Sequence, residues 1–463
     1  MSAGLDRSIL RLAIPSILAA ISTPLIGIAD TAMVGHLPQV AYLGAVATAS
    51  VIFDVLFWST GFLRMGTTSL VAQYHGAGDR RSCLETLYRS MGLALALGLG
   101  MLLARHPIAL AGFGLAGGSP EVQEWGQRYF AVRILGAPLV LVTLALNGFF
   151  LGTGNALAPM AVTMAANLVN VTADWALIFG HWGAPALGVV GAAWASVLGN
   201  TAAALVGVAI LLWRYGPHLP RPGWRLLEVG ELRLILRTNA NLFGRTLCLL
   251  GAQFAILGMV SRMGEVPLAA NAIVWQVWAL VSYGVDGFAH AAEALVGAAL
   301  GARGFARARQ VSRRILGWGV GIGAAFGLLY LVALEPLARA FTEHRSVVEV
   351  VASLALVIAP VQPLNAVVFV FDGIFIGAND MGYLFRAMAV ASLGVFLPAA
   401  LLFVWGLDWG VQGAWMAYDG LMVGRFLTLL PRYRGSLWLR TFVAAQAGGE
   451  PGSAAGARVE ERR

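Results

Sequence analysis

The chain contains no lysine and few charged residues of any kind. Its 31 basic residues are all arginine, against 23 acidic residues, and charged side chains make up only 12% of the 463 residues. Soluble domains carry about twice that share. Hydrophobic residues make up 59%, and the mean hydropathy is +0.76. The composition therefore predicts an integral membrane protein. Its arginine excess indicates basic cytoplasmic loops rather than a nucleic-acid surface, so no nucleic-acid partner is expected.

Cysteine is nearly absent, and so are the loop motifs of common enzyme classes. The two cysteines, Cys83 and Cys248, are far apart and have neither disulfide nor metal-ligand spacing, so both are expected to be reduced. The loops contain no HExxH motif, no DxD motif and no phosphate-binding glycine loop. These absences count against a membrane-embedded transferase. We expect no enzymatic activity and no cofactor.

Apolar runs long enough to cross a bilayer follow one another along the chain. A helix rises about 1.5 Å per residue and needs about 20 apolar residues to span the hydrocarbon core. The sequence predicts twelve such helices, near residues 10–34, 43–73, 84–104, 125–150, 158–180, 188–213, 237–261, 266–300, 312–334, 347–376, 383–404 and 409–430. The first run is too long for a cleaved signal peptide and is expected to remain in the protein.

The distribution of arginine predicts the orientation of these helices. Most arginines fall in the segments on the same side as the N-terminus, whereas the other side holds a minority that includes Arg105 and Arg133. By the positive-inside rule, both termini are expected in the cytoplasm. The abundance of alanine, glycine and arginine, without lysine, is typical of a high-GC bacterium. We therefore expect the bacterial inner membrane.

An internal repeat divides the chain into two halves. Residues 43–79 align without gaps with residues 268–304 at an offset of 225, and the same offset places 148–152 (GFFLG) on 373–377 (GIFIG). Because each half holds an even number of helices, both halves enter the membrane from the same side. Parallel repeats of this kind form two lobes about an axis along the membrane normal. The prediction is an all-α membrane protein of two six-helix lobes related by pseudo-two-fold symmetry, with a central cavity.

The repeat also predicts the domain boundaries. We expect an N-terminal lobe over 1–213, a basic cytoplasmic linker over 214–236 and a C-terminal lobe over 237–440. Residues 441–463 are rich in alanine, glycine, glutamate and arginine, a composition typical of a disordered tail. The repeat favours alternating access over a channel. Nothing in the sequence indicates a partner chain, and a monomer is expected.

The first predicted helix combines two prolines with one carboxylate, Asp30. Pro15 and Pro24 remove backbone donors and create positions at which a spanning helix can bend. A charged aspartate near the centre of such a helix costs about 2.5–3.5 kcal/mol on insertion scales, so it is a functional candidate by default. The alternative interpretation is a packing kink beside an acid that stays protonated.

The fifth predicted helix carries a polar stripe on an otherwise apolar surface. Its residues step by four, three and four and so share one face: Thr163, Asn167, Asn170 and Asp174. Ser196 and Asn200 share a face of the sixth helix in the same way. Together with Asp30, these residues could bind a proton or a small hard cation such as Na⁺, with Asp30, Asn170 and Asp174 as the metal candidates. The alternative is an interhelical hydrogen-bond network, which explains the asparagines better than the acids.

The second half has a polar stripe of its own, on the eighth predicted helix: Gln276, Tyr283, Asp286, His290 and Glu293. Asp54 and Asp372 are further intramembrane acids. Such acids must face a wet cavity, pair with Arg64 or Arg245, or be protonated. We take Asp286, Asp372, Asp54 and Tyr283 as substrate-cavity candidates, with structural ion pairs as the alternative for Asp286 and Asp372.

For the other polar and aromatic side chains of these helices, a role in packing or hydrogen bonding is an alternative to a role in substrate binding. Glu293 and His290 are interpreted as structural. The aromatic residues of the second and eighth helices could offer π-faces to organic cations or simply pack: Phe53, Phe57, Trp58, Trp275, Trp278 and Tyr283.

Several of these motifs together resemble the multidrug and toxic compound extrusion (MATE) transporters. They are Pro15 with Asp30, Asn170-x-x-x-Asp174, GVVGAAWAS at 188–196, and LVAQYHGAGD at 70–79 with its partner LVGAALGARG at 295–304. FDGIFIGAND at 371–380 and DGFAHAAEALVG at 286–297 resemble the DinF-like branch. The resemblance extends over the chain up to about Arg440.

The resemblance implies an exporter of cationic or amphipathic organic compounds, driven by inward flow of protons or Na⁺. It implies a cation-coupling site at Asp30, Asn170, Asp174 and Ser196, and a bend in the first helix at Pro15. Ser196 stands where relatives usually have threonine, and the hydroxyl is retained. A flippase for a lipid-linked precursor remains the alternative, although only Arg64, Arg245 and Arg425 lie within helices to bind a pyrophosphate.

Overall fold

A computed structural model describes residues 2–218 and 228–440, and it is almost entirely helical. The first half contains nine α-helices: α1 Ser2–Gly35, α2 Val40–Ser59, α3 Phe62–Gly76, α4 Arg80–Leu103, α5 Arg105–Ala116, α6 Pro120–Arg133, α7 Ala137–Gly152, α8 Leu157–Phe179 and α9 Val189–Tyr215. The second half contains eight: α10 Val229–Val260, α11 Glu265–Gly301, α12 Phe305–Phe341, α13 Arg345–Ile358, α14 Gln362–Gly377, α15 Met381–Val390, α16 Leu397–Ala400 and α17 Gly410–Arg434. Two π-helical segments, Ala391–Phe396 and Leu401–Gly406, flank α16.

Each predicted span corresponds to one helix or to consecutive helical segments that continue across short breaks. Among the described residues, ten such units are long and apolar enough to cross a bilayer, and the pair α13–α14, bent by 64°, makes an eleventh. Helix α17 corresponds to the twelfth predicted span, and its buried Asp419 and Arg425 make it less apolar than the others.

Side chains next to the helix ends determine where some of the helices begin. The Asp79 carboxylate, for example, accepts a hydrogen bond from the Ser82 backbone N–H at 3.0 Å and so caps α4.

The predicted linker and tail fall largely outside the described residues. Of the linker, 219–227 are not described, and residues 229–236 form the first two turns of α10. The helix therefore begins eight residues before the predicted start of the second lobe at 237. The tail at 441–463 lies entirely outside the described part of the chain.

The two halves have equivalent backbone contacts at the offset of 225 residues. A Cβ placed at Gly148 would lie 2.5 Å from the carbonyl oxygen of Arg64, and one at Gly373 would lie 2.3 Å from that of Ala289. The two glycines differ by 225 residues, and so do the two carbonyls. Glycine is needed at both positions because the crossing main chains leave no room for a side chain. The repeat seen in the sequence is therefore also a repeat of packing.

The lobes meet along α3 and α11 at the face of the bundle that carries Ser2, which we call the terminal face. Gln73 Nε2 donates to the carbonyl oxygen of Gly377 at 2.7 Å. A Cβ at Gly76 would lie 1.9 Å from the carbonyl oxygen of Ala298, and one at Gly301 would lie 1.8 Å from that of Gln73. By contrast, α2 makes hardly any contact with α11. The lobes are therefore closed at the terminal face and separated towards the opposite face.

Candidate functional site

The acid pair of the first half forms where α1 packs against α8. Asp174 is completely buried, and Asp30 is half-buried. Their carboxyl groups lie within hydrogen-bonding range of each other, and a hydrogen bond between two carboxyl groups requires a proton on one of them. Oδ1 of Asp174 has no hydrogen-bond partner among the described residues. The geometry therefore suits a shared proton and leaves one buried acceptor unused.

Asn170 links the acid pair to α9. In the side-chain orientation that satisfies both ends of its amide, the nitrogen donates to Asp30 Oδ1 at 3.1 Å and the oxygen accepts from the Ser196 backbone N–H at 3.3 Å. The structure thus brings together the four residues predicted from the sequence, on three helices. Ser196 contributes its main chain to Asn170, whereas its side chain is hydrogen-bonded to Tyr129.

Tyr129 and Arg133, on α6, are neighbours of this site that the sequence did not identify. Arg133 Nη1 donates to Tyr129 Oη at 3.0 Å and to Ser50 Oγ at 3.3 Å, and its guanidinium lies 4.6 Å from the centre of the Phe53 ring. The topology prediction placed Arg133 in an exterior segment. The structure corrects this, because Arg133 ends a helix inside the fourth span and lies within electrostatic range of Asp30 and Asp174.

Pro15 is buried, and α1 is a single helix through both Pro15 and Pro24. The N-terminal half of α1 packs on the second lobe, in a cluster that includes Ile9 and Ala13, while its C-terminal half packs on α8. One helix therefore touches both lobes and carries one member of the acid pair. The predicted bend at Pro15 stays a prediction.

The acids of the second half have two different environments. Oδ2 of Asp372 accepts hydrogen bonds from both Arg245 and Arg425, and Asp372 is only 5% exposed. This ion-paired arrangement supports the structural alternative for Asp372, whose role in a substrate cavity stays a prediction. Glu293 is likewise buried and accepts from Arg64 at 2.9 and 3.4 Å, in agreement with its structural interpretation.

Three other predicted cavity residues surround the cleft between the lobes. Asp54 is exposed on α2, and Tyr283 and Asp286 are half-buried on α11. Tyr283 lies within electrostatic range of both acids, one from each lobe. No hydrogen bond or ion pair involves Asp286 within the described part of the chain. These two acids therefore lie on opposite walls of the cleft without an ion-pair partner among the described residues.

Most of the aromatic candidates are packing residues. The Phe53 ring lies under the Arg133 guanidinium, and Trp275 packs at 5.2–5.3 Å between ring centres against Trp415 and Tyr418. Trp58, with 52% of its surface exposed, and the half-buried Tyr283 of the cleft are the exceptions.

Two similar six-helix lobes, a central cleft and unneutralised acids inside spanning helices are the architecture of a membrane transporter, not of an enzyme. Comparison with known proteins gives the family. The MatE family model matches residues 15–176 and 242–402. The chain belongs to the MatE family.

Two relatives and one solved structure are similar to the chain along nearly its whole length. It is 32% identical over 432 residues to DNA damage-inducible protein F of Escherichia coli (strain K12), covering 93% of this chain and 92% of the relative. It is 28% identical over 450 residues to the probable multidrug resistance protein NorM of Bradyrhizobium diazoefficiens, covering 92% and 94%. A crystal structure of MATE in the straight conformation superimposes with a TM-score of 0.81 at 22% identity, covering 96% of this chain and 97% of that one.

Proposed function

We propose that this transporter is an antiporter that exports cationic or amphipathic organic compounds in exchange for protons, and that the Asp30–Asp174 pair carries the coupling proton. The observation that supports this most directly is the hydrogen bond between the two carboxyl groups, which needs a proton. In water-poor surroundings two adjacent carboxylates cannot both be charged without a cation between them. Loss of that proton therefore leaves two adjacent carboxylates, which must bind another cation.

The amide of Asn170 favours a proton over Na⁺ as the coupling ion. A sodium ion needs oxygen ligands from every direction, whereas the amide orientation that pairs both ends of Asn170 directs its N–H₂ group at Asp30. Its oxygen is engaged by the Ser196 N–H. Sodium binding at Asp30, Asn170 and Asp174 would require the amide to turn over and lose that bond. No cofactor takes part in this mechanism.

The charge of the cleft favours organic cations as substrates. Asp54 and Asp286 lie on opposite walls, and three intramembrane arginines, Arg64, Arg245 and Arg425, are bound to carboxylates. A fourth, Arg133, is hydrogen-bonded to Tyr129 and Ser50. A flippase for lipid-linked pyrophosphates needs free arginines in its cavity. The pairing of all three favours export of cations over this alternative. The multidrug resistance relative NorM supports the same substrate class for this chain.

Movement of α1 is the proposed link between the proton and the substrate. Because α1 contacts both lobes and carries Asp30, a bend at Pro15 when the acid pair gains or loses its proton would change the width of the cleft. The terminal face holds most of the described arginines, so we assign it to the cytoplasm, with both termini there and the protein in the bacterial inner membrane. In this orientation the described conformation faces outward. We also propose that the first lobe ends at residue 213, that the second lobe begins at residue 237, and that the protein is a monomer.

The experiment is transport of an organic cation such as ethidium into proteoliposomes that contain the full chain. A pH gradient alone should drive accumulation, and a Na⁺ gradient alone at equal pH on both sides should not. One unit of pH difference supplies about 1.4 kcal/mol per proton, which corresponds to a tenfold concentration ratio in one-to-one exchange. Transport driven by Na⁺ alone would contradict proton coupling. Failure with cations but movement of a lipid-linked pyrophosphate would favour the flippase.

A further inference from the structure

The N-terminal end of α1 is bound to the opposite lobe by an ion pair. The Asp6 carboxylate accepts from Arg314 Nε at 2.7 Å and Nη2 at 2.6 Å, and from Trp318 Nε1 at 3.0 Å. Arg314 and Trp318 belong to α12, the third span of the second half. Two parallel N–H···O bonds between guanidinium and carboxylate fix orientation as well as distance. The first helix of the first half is thereby joined to the second lobe at the terminal face.

The N-terminal end of α10 is bound to the first lobe in the same way. Arg89 Nη1, on α4, lies 3.5 Å from Glu231 Oε2, and the Tyr74 hydroxyl donates to the same carboxylate oxygen at 3.3 Å. One turn further along α10, Ile235 is 3% exposed in a cluster with Leu87 of α4. The first helix of the second half is thereby joined to the third span of the first half.

The two ion pairs are equivalent under the internal repeat. Asp6 and Glu231 are 225 residues apart, and so are Arg89 and Arg314. In each half an acid near the start of the first helix pairs with an arginine on the third span of the other half. Both pairs lie outside the two segments from which the offset was obtained. The chain therefore carries two copies of one interlobe contact, related by the pseudo-two-fold axis.

We propose that Asp6–Arg314 and Glu231–Arg89 are a pair of interlobe latches that hold the lobes together at the terminal face and must open when the transporter changes state. Their position suits reversible opening. In the first latch, Arg314 and Asp6 are 49% and 19% exposed, so water can solvate the separated charges. In the second, Glu231 is 32% exposed and Arg89 only 2%, but Arg89 also lies 3.6 Å from Glu85 on its own helix and keeps that counter-charge when Glu231 moves away. The Arg64–Glu293 pair, also interlobe, is more deeply buried, at 14% and 2% exposed. The two latches therefore form the more solvent-exposed part of the contact between the lobes at the terminal face.

This inference rests on alternating access, which belongs to the proposed function, but not on the identity of the coupling ion. It can therefore be tested without any gradient. The measurement is the distance distribution between spin labels at exposed positions 80 and 306, one per lobe, in full-length protein in nanodiscs. Arg80→Cys and Ala306→Cys would be introduced with Cys83→Ser and Cys248→Ser, which removes the native thiols.

Asp6→Asn and Glu231→Gln should each increase the long-distance population by about two- to five-fold, the range expected for one exposed ion pair. The two together should increase it further. The charge exchange Asp6→Arg with Arg314→Asp should restore the original distribution. Arg128→Gln, which breaks the exposed Arg128–Glu124 pair within α6 and includes no latch residue, is the matched control and should change nothing.

An unchanged distribution in both single variants and in the double variant would overturn the inference. So would a shift that the charge exchange does not reverse, because the effect would then come from something other than the ion pair. A variant that fails to fold is identified by its size-exclusion profile, and the charge-exchange protein then decides the question. A transporter that proves not to be proton-coupled would leave these distances as predicted, so the two proposals can fail separately.

Discussion

The carboxyl groups of Asp30 on α1 and Asp174 on α8 are hydrogen-bonded to each other, although 144 residues separate them in the chain. One member lies on the helix that contacts both lobes, and the other is completely buried within the first lobe. A proton held between them therefore also fixes α1 against α8. Its release removes that bond and leaves two adjacent negative charges, which favour separation.

Asn170→Leu should reduce gradient-driven transport about tenfold or more. The substitution keeps the approximate volume but removes the amide donor to Asp30 Oδ1, and loss of a hydrogen bond to a charged group costs about 1.5–3 kcal/mol. The measurement is the initial rate of ethidium transport in proteoliposomes. Thr172→Val, on the exposed side of the same helix, is the control and should have little effect. Equal rates for both variants would exclude a role for the amide.

Asp372→Asn should lower the free energy of unfolding by about 3–5 kcal/mol, the usual cost of removing one partner from a buried ion pair. Arg245 and Arg425 would then both remain buried without a counter-charge. Thermal unfolding in detergent measures the effect. Arg345→Gln, which breaks an exposed pair with Glu349, should change the unfolding free energy by less than about 0.5 kcal/mol. If the Asp372→Asn protein were stable but bound substrate more weakly, the result would instead indicate that Asp372 lines the substrate cavity.

Gly301→Ala should open the contact between the lobes at the terminal face. Its Cβ would lie 1.8 Å from the carbonyl oxygen of Gln73, and neither main chain can yield without moving a lobe. Overpacking of this kind costs about 1–3 kcal/mol, enough to change the balance between two conformations. Labels at positions 80 and 306 should show a longer distance. Gly100→Ala, in a helix with nothing within 4 Å of the added atom, is the control. Identical distances in the two variants would be inconsistent with the described contact.

Asp54→Asn and Asp286→Asn should each raise the KM for a monovalent organic cation by about fivefold, with a small effect on kcat. An acid on the cleft wall attracts a cation through water-accessible space, where one charge contact contributes about 1 kcal/mol. A zwitterionic analogue of the same substrate should be much less affected. Glu335→Gln, an exposed acid on α12 paired with Arg339, is the control. A fall in kcat without a change in KM would argue against direct substrate contact.

The sequence predicted the fold well because its main signals are local. Continuous apolar runs determine each span, and the stripe that contains Asn170 and Asp174 has the period of one helix face. The repeat offset, obtained from short matches, also describes the backbone contacts of Gly148 and Gly373. In each case the information lies within one segment or in a comparison of two segments.

The pairing of charges could not be predicted in the same way. Asp372 lies 127 residues from Arg245 and 53 from Arg425, and nothing in those segments specifies which acid meets which arginine. Arg133 was assigned to an exterior segment from the sequence, whereas the contacts of its guanidinium with Ser50 and Phe53 arise only when α2 and α6 pack together. Asp6 and Glu231 belong to no sequence motif. Their equivalence under the repeat is recognised only when the structure shows that each pairs with an arginine and that the two arginines are also 225 residues apart.

The role of the acid pair is tested most directly by two transport modes of one variant, Asp174→Asn. Accumulation of ethidium driven by a pH gradient requires proton exchange at the pair, whereas ethidium–ethidium exchange at equal pH requires only the cleft and the movement of the lobes. We predict that Asp174→Asn abolishes the first and retains the second, in the same proteoliposomes. Undiminished accumulation under the pH gradient would contradict the assignment of the coupling proton to Asp30 and Asp174.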